Sequence, residues 1–213
     1  MARPKLHDDA LRTRLLDRAA ELLSREGQEA LSLRRLAKDV QTSTTAVYSL
    51  FGGKSALLQA VYGEAFRRFG EHLSTVEPSD DPMRDLQRLS EAYRRSATAD
   101  PFMYAVLFGR RAPGFEPDPE TAPELVQRAD ATFAPLVDAV RRGIAAGQLP
   151  DEDPVRLAVA CWATAHGMVS LEIGGFLPPE AGDAAGLFAT AVRAVARGWD
   201  PEAAARTCRA RPS

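Results

Sequence analysis

The chain has 213 residues, is 45% hydrophobic and carries 27 Lys plus Arg against 29 Asp plus Glu, for a formal net charge of −2. That length is enough for one small domain and one larger helical domain. A balance so close to neutral excludes a polybasic membrane-surface binder and a protein that coats nucleic acid regardless of sequence, but not a modest basic patch that neutralises a few phosphates. In chain order, the opening MARPKLHDD lacks the apolar run of a secretion signal. DALRTRLLDRAAELLSREG then sets Leu11, Leu15, Ala19, Leu22 and Leu23 along one stripe and stops at Gly27, which predicts a long first helix. In LSLRRLAKDV, Ser32 is placed as a cap and Leu33, Leu36, Ala37 and Val40 have helical spacing, with Arg34, Arg35 and Lys38 on the other sides. TSTTAVYSLFGGK predicts a short helix starting at Thr44, capped by Ser43, anchored by Ala46, Val47, Leu50 and Phe51, and ended by the glycine pair. Only residues 41–43 separate the two short helices, which is helix-turn-helix spacing, and the first helix is available to cover them.

The surface left on the second short helix is hydroxyl-rich and uncharged, where a merely solvated helix would mix charges of both signs. Hydroxyls bond base edges or phosphates, and a threonine methyl can touch a thymine methyl in a major groove wide enough for a helix. Thr44 and Thr45 are therefore expected at base edges, with Thr42, Ser43 and Ser49 beside them and Arg34 on the preceding helix. Tyr48 fits either a backbone phosphate or a packed aromatic. Lys54, at the start of the next helix, is expected to face phosphate together with the free amides there. Residues 1–60 hold 10 basic against 7 acidic side chains, so the basic excess is local to this region.

Leu36, Ala37, Ser43, Ala46, Val47, Tyr48, Phe51, Lys54, Ala56 and Leu57, taken in order, resemble the DNA-binding domain of the TetR/AcrR transcriptional regulators. The resemblance implies an all-helical homodimer, usually a repressor released by a small ligand, with operator contacts from the helix near Thr44. Two positions depart from that pattern. Gln41 stands where glycine is common, which raises a different or mildly strained turn. Leu50 replaces a common histidine and adds core in place of a polar contact.

Beyond Lys54, Leu57, Leu58, Val61, Tyr62, Ala65, Phe66 and Phe69 predict a helix able to link the reader to a second domain. STVEPSDDP interrupts it, and further helices are expected near 83–99, 101–109, 121–146, 152–174 and 181–198. The expected division is a helix-turn-helix domain over 1–53, a larger helical ligand-binding and dimerisation domain over 54–200, and a flexible tail over 201–213. DPFMYAVLFGR concentrates Phe102, Met103, Tyr104 and Phe108; with Phe133, Trp162 and His166 these are the candidate lining of a pocket for a small apolar or aromatic effector. The same residues also serve as plain core. Trp162 and His166 lie four apart on one helical face with Gly167 following, and this spacing resembles the WHG subset of the same family; His166 fits a structural role or a pocket hydrogen bond.

No HExxH, Cys/His cluster, GxxxxGK loop or GxGxxG fingerprint is present, and Ser170, His166 and Glu172 on one helix do not converge as a triad. The chain is accordingly read as neither an enzyme nor a holder of metal or cofactor. Cys161 and Cys208 are too few for a disulfide scaffold and are expected to be reduced. No run of about 18 apolar residues offers a membrane span, so the cytoplasm is the expected location. The expected partners are a palindromic DNA operator, a second copy of the chain, and the effector. A helical adaptor that binds only protein is the competing class, separable by binding to a palindromic duplex.

Overall fold

The computed structural model describes residues 5–109 and 122–198, and every regular element among them is helical. Nine α-helices run as α1 Lys5–Glu26, α2 Leu33–Asp39, α3 Thr44–Phe51, α4 Lys54–Ser74, α5 Pro82–Ala99, α6 Pro101–Phe108, α7 Ala122–Ala145, α8 Pro154–Ile173 and α9 Ala184–Gly198 among the described residues. Single 3-10 turns stand at Gln28–Ala30 and Pro179–Ala181. The tail expected over 201–213, with Cys208 in it, lies outside the described residues.

The chain divides into two compact units, Met1–Phe69 with Asp100–Ala129, and Gly70–Ala99 with Asp130–Ser213. The first is built on the α1 stripe, where Leu15, Leu16, Ala19 and Leu22 are almost wholly buried against Leu36 of α2 and Val47 of α3. Its core continues through Leu57, Leu58, Val61 and Ala65 of α4 and takes in Met103 and Val106 of α6. The boundary expected at residue 53 therefore falls inside this core. Two short helices and one long one bury too little apolar surface alone, and α4 and α6 complete the burial.

The second unit centres on Leu86 and Leu89 of α5, Ala139 and Val140 of α7, and Leu157 and Ala158 of α8. Asp85 is 1% exposed inside it. Its carboxylate accepts the Ser79 amide at 2.8 Å and hydroxyl at 2.7 Å, and pairs with Arg142 at 3.0 Å. Burial pushes this carboxyl upward, but the Ser79 bonds and Arg142 outweigh it and hold it below its ordinary range. The loop before α5 is thereby pinned to α5 and α7. Among the described residues no helix is long and apolar enough to cross a membrane.

Candidate nucleic-acid interface and effector region

The two short helices are set by local chemistry at each end. Ser32 accepts the Arg35 amide at 3.1 Å to start α2, and Ser43 accepts the Ala46 amide at 3.0 Å to start α3. Between them the Thr42 amide reaches the Ala37 carbonyl at 2.8 Å and the Gln41 amide reaches Lys38 at 3.1 Å. This six-to-one and five-to-two pair is a Schellman closure, which requires a left-handed residue at the position Gln41 occupies. Gln41 adopts it, with φ 58°. The turn thus keeps the glycine conformation without the glycine. Gly52, at φ 77°, ends α3 by donating to the Tyr48 carbonyl at 2.7 Å.

Val47 and Phe51 anchor α3 in the core, which leaves Thr45, Tyr48 and Ser49 exposed on one face at three- and four-residue spacing. Tyr48 is 53% exposed, so it projects outward and does not cap the core. Thr42 and Thr44 are half-buried, and the Ser43 hydroxyl is engaged as the cap. Arg34 and Lys38 are exposed on α2. Lys54 is half-buried, and its ammonium donates to the Gln28 carbonyl at 2.9 Å, tying the start of α4 to the 3-10 turn.

Much of the local basic excess is spent inside the unit. Arg14 donates to the Val40 carbonyl at 2.7 Å, closing the end of α2, and Arg18 bridges Asp39 at 2.7 Å and Glu21 at 2.6 Å. Arg35 pairs with Glu26 at 2.6 Å, and Arg12 lies 5.5 Å over the Phe51 ring. Sequence reasoning missed these clips because the partners come together only once the helices pack. A further knot joins α1, α4 and α6: Arg68 reaches Asp17 and Glu64 at 2.7 Å and Asp100 at 2.8 Å. Asp100 also caps α6 through the Met103 amide at 3.2 Å. Arg67 above all, with Arg68, holds the Glu64 carboxyl down at about 2 against an opposing burial effect.

The expected effector residues fall into both units. In the first, Met103 is buried in the core, and Phe102 packs against that core with the Arg25 guanidinium 5.0 Å from its ring. Tyr104 and Phe108 lie 5.0 Å apart with their rings tilted, and Phe108 meets Phe69 edge-on at 5.7 Å. In the second, Phe133 and Trp162 are 6.0 Å apart edge-on, and Trp162 is 6.1 Å from His166. Tyr93 of α5, which sequence reasoning did not single out, lies between the latter two. The Trp162 indole donates to its hydroxyl at 3.4 Å, and that hydroxyl is 3.0 Å from His166 Nδ1. The direction of that last bond follows the imidazole tautomer; where the phenol donates, Nδ1 is unprotonated and the ring can be neutral. Burial lowers the His166 pKa in the same sense.

A capped two-helix reader with a neutral hydroxyl face, followed by a larger helical unit, defines the class of helix-turn-helix DNA-binding regulators. Residues 15–61 match the family described as bacterial regulatory proteins, tetR family, and residues 86–195 match the tetracyclin repressor-like C-terminal domain. The chain belongs to the TetR family of transcriptional regulators, whose members are non-catalytic, typically bind DNA as homodimers and respond to small-molecule effectors. Among solved structures, a protein of unknown function from Rhodococcus sp. RHA1 is 30% identical with a TM-score of 0.72, covering 89% of this chain and 95% of that one. The TetR family regulator PfmR from Thermus thermophilus, at 21% identity and a TM-score of 0.71 over 86% of this chain and 97% of that one, shares the fold. The HTH-type transcriptional regulator Rv1816 of Mycobacterium tuberculosis is 23% identical over 195 residues, 78% of this chain and 82% of that protein.

Proposed function

We propose that this chain is a ligand-responsive repressor that binds a palindromic operator as a twofold dimer and is released by a small, largely apolar effector. The observation that carries the DNA half is the exposed face of Thr45, Tyr48 and Ser49, held outward by buried Val47 and Phe51 and free of acidic residues. Thr45, with half-buried Thr44, is assigned to base edges; Tyr48, Ser49, Thr42, Arg34 and Lys54 are assigned to phosphates, and Ser43 to holding the helix start. For the effector half, the Trp162, His166, Gly167 spacing supports the WHG subset. Phe133, Trp162 and His166 are the proposed contacts in the second unit, with α4 carrying the response to the reader. Met103, buried in the first unit's core, and Phe102, partly buried against it, are given a packing role.

Selection of bound duplexes from a randomised pool tests the proposal. A twofold-symmetric site, whose base preference shifts in Thr45→Ala but not in Lys54→Ala, is the expected result. A protein that retains no duplex would be a protein-binding adaptor instead.

A further inference from the structure

On the side of α8 that carries Cys161 and Thr164, helices α5, α8 and α9 enclose a cleft of about 480 Å³, within the range of small-molecule sites. Met83, Leu86, Val192 and Val195 supply its apolar wall. The hydroxyls in that wall are already satisfied: Ser90 donates to the Leu86 carbonyl at 2.9 Å and Thr164 to the Ala160 carbonyl at 3.0 Å. A ligand therefore meets little in the wall that rewards a polar body. Polar groups gather among the exposed lining residues, where the balance is cationic. The Asp81 carboxylate is engaged in capping α5, accepting the Arg84 amide at 3.0 Å, and Gln87 donates to Glu91 at 3.0 Å. The Arg84 and Arg193 guanidiniums have no carboxylate partner among the described residues; Arg193 touches the Thr190 hydroxyl at 3.1 Å.

We propose that this cleft binds an amphipathic anion, an apolar chain ending in a carboxylate, with the chain along α5, α8 and α9 and the head between Arg84 and Arg193. Carboxylate is the head that guanidinium recognises best in two-point geometry. Burial raises the Cys161 thiol to about 11, so the wall carries no thiolate to repel an anion at neutral pH. The site goes beyond the aromatic contacts proposed above, and only its link to operator release rests on the effector reading. Ser90 and Tyr93 share a face of α5. A ligand seated against Ser90 would accordingly bear on the helix that holds the Trp162 and His166 hydrogen bonds.

Cys161 provides a readout that needs no DNA. In the full chain carrying Cys208→Ser, alkylation of Cys161 by N-ethylmaleimide at mildly alkaline pH is followed with decanoate, decanol or acetate present. Saturable protection by decanoate and none by acetate is expected. In the double variant Arg84→Gln, Arg193→Gln, the half-protecting decanoate concentration is expected to rise at least tenfold while any protection by decanol stays unchanged. Absence of decanoate protection, or an equal response of decanoate and decanol to the variant, overturns the proposal. Protection without any probe that grows with protein concentration also overturns it, since a second copy would then occupy the cleft. Operator affinity measured on the same samples separates the two claims: protection with unchanged operator affinity upholds the site and removes it from the release mechanism.

Discussion

Gln41 holds φ at 58° because the Schellman closure between α2 and α3 demands it. A side chain in this region costs roughly 1–2 kcal/mol, while glycine gives back part of that through its freer unfolded chain. Gln41→Gly is therefore expected to stabilise by up to about 1 kcal/mol, and Gln41→Val to destabilise by at least about 1 kcal/mol. Urea midpoints at unchanged slope measure both, and equal stability of all three proteins would refute the strain. Lys54 presents a different case, since one of its three N–H donors is committed to Gln28. Lys54→Ala is expected to lose roughly 1.5 kcal/mol of folding free energy with that charge-assisted bond. It should also lower the salt slope of operator binding by about 1 if the ammonium meets a phosphate. Lost stability at unchanged slope would assign Lys54 to structure alone.

Helices are tied to one another by groups whose charge depends on pH. Glu64, held at about 2 by Arg67 and Arg68, contributes stability that is present above its unfolded value of 4.5 and is lost as pH falls through about 2. His166 carries the same sign for another reason: burial lowers its pKa, so the unfolded chain takes up a proton first as pH drops below 6.5. Melting temperature is thus expected to fall in two windows, one beginning near 6.5 and one below 4.5. His166→Gln should flatten the first, and Glu64→Gln should make the second shallower, the remainder coming from groups such as Asp85. Should either variant keep the wild-type profile in its window, the corresponding tie between α5 and α8, or within the α1, α4, α6 knot, would not be the titrating element.

Across the whole molecule, twofold DNA reading needs two copies, because one projecting helix reaches few bases and half-sites sit about 34–36 Å apart or a multiple of that. A seam between two copies needs apolar surface that the chain does not already bury. Ala158, Val169 and Phe188 are buried within the chain itself, whereas Val155 and Val159 are 49% and 43% exposed on α8. The seam is therefore expected to use the outer stripe. Val155→Glu with Val159→Glu should leave the melting temperature within a few degrees, convert the protein to a monomer in sedimentation, and abolish operator binding. A wild-type monomer, free and on operator, would end the dimer hypothesis.

What was legible in the sequence is what neighbours along the chain decide: the apolar stripes of α1 and α4, the Ser32 and Ser43 caps, the glycine stop after Phe51, and the awkward fit of Gln41. Each depends on contacts within a few residues, where periodicity and capping chemistry leave their mark. Tertiary structure alone decided that Lys54 would bond Gln28, 26 residues away, that Arg14, Arg18 and Arg35 would clip helices together, and that Met103 would enter the reader's core. Core filling and pocket lining draw on the same residue types, so Phe102 and Trp162 are indistinguishable in one dimension. Only the helices packed around each side chain determine whether it faces another side chain or a space a ligand can fill.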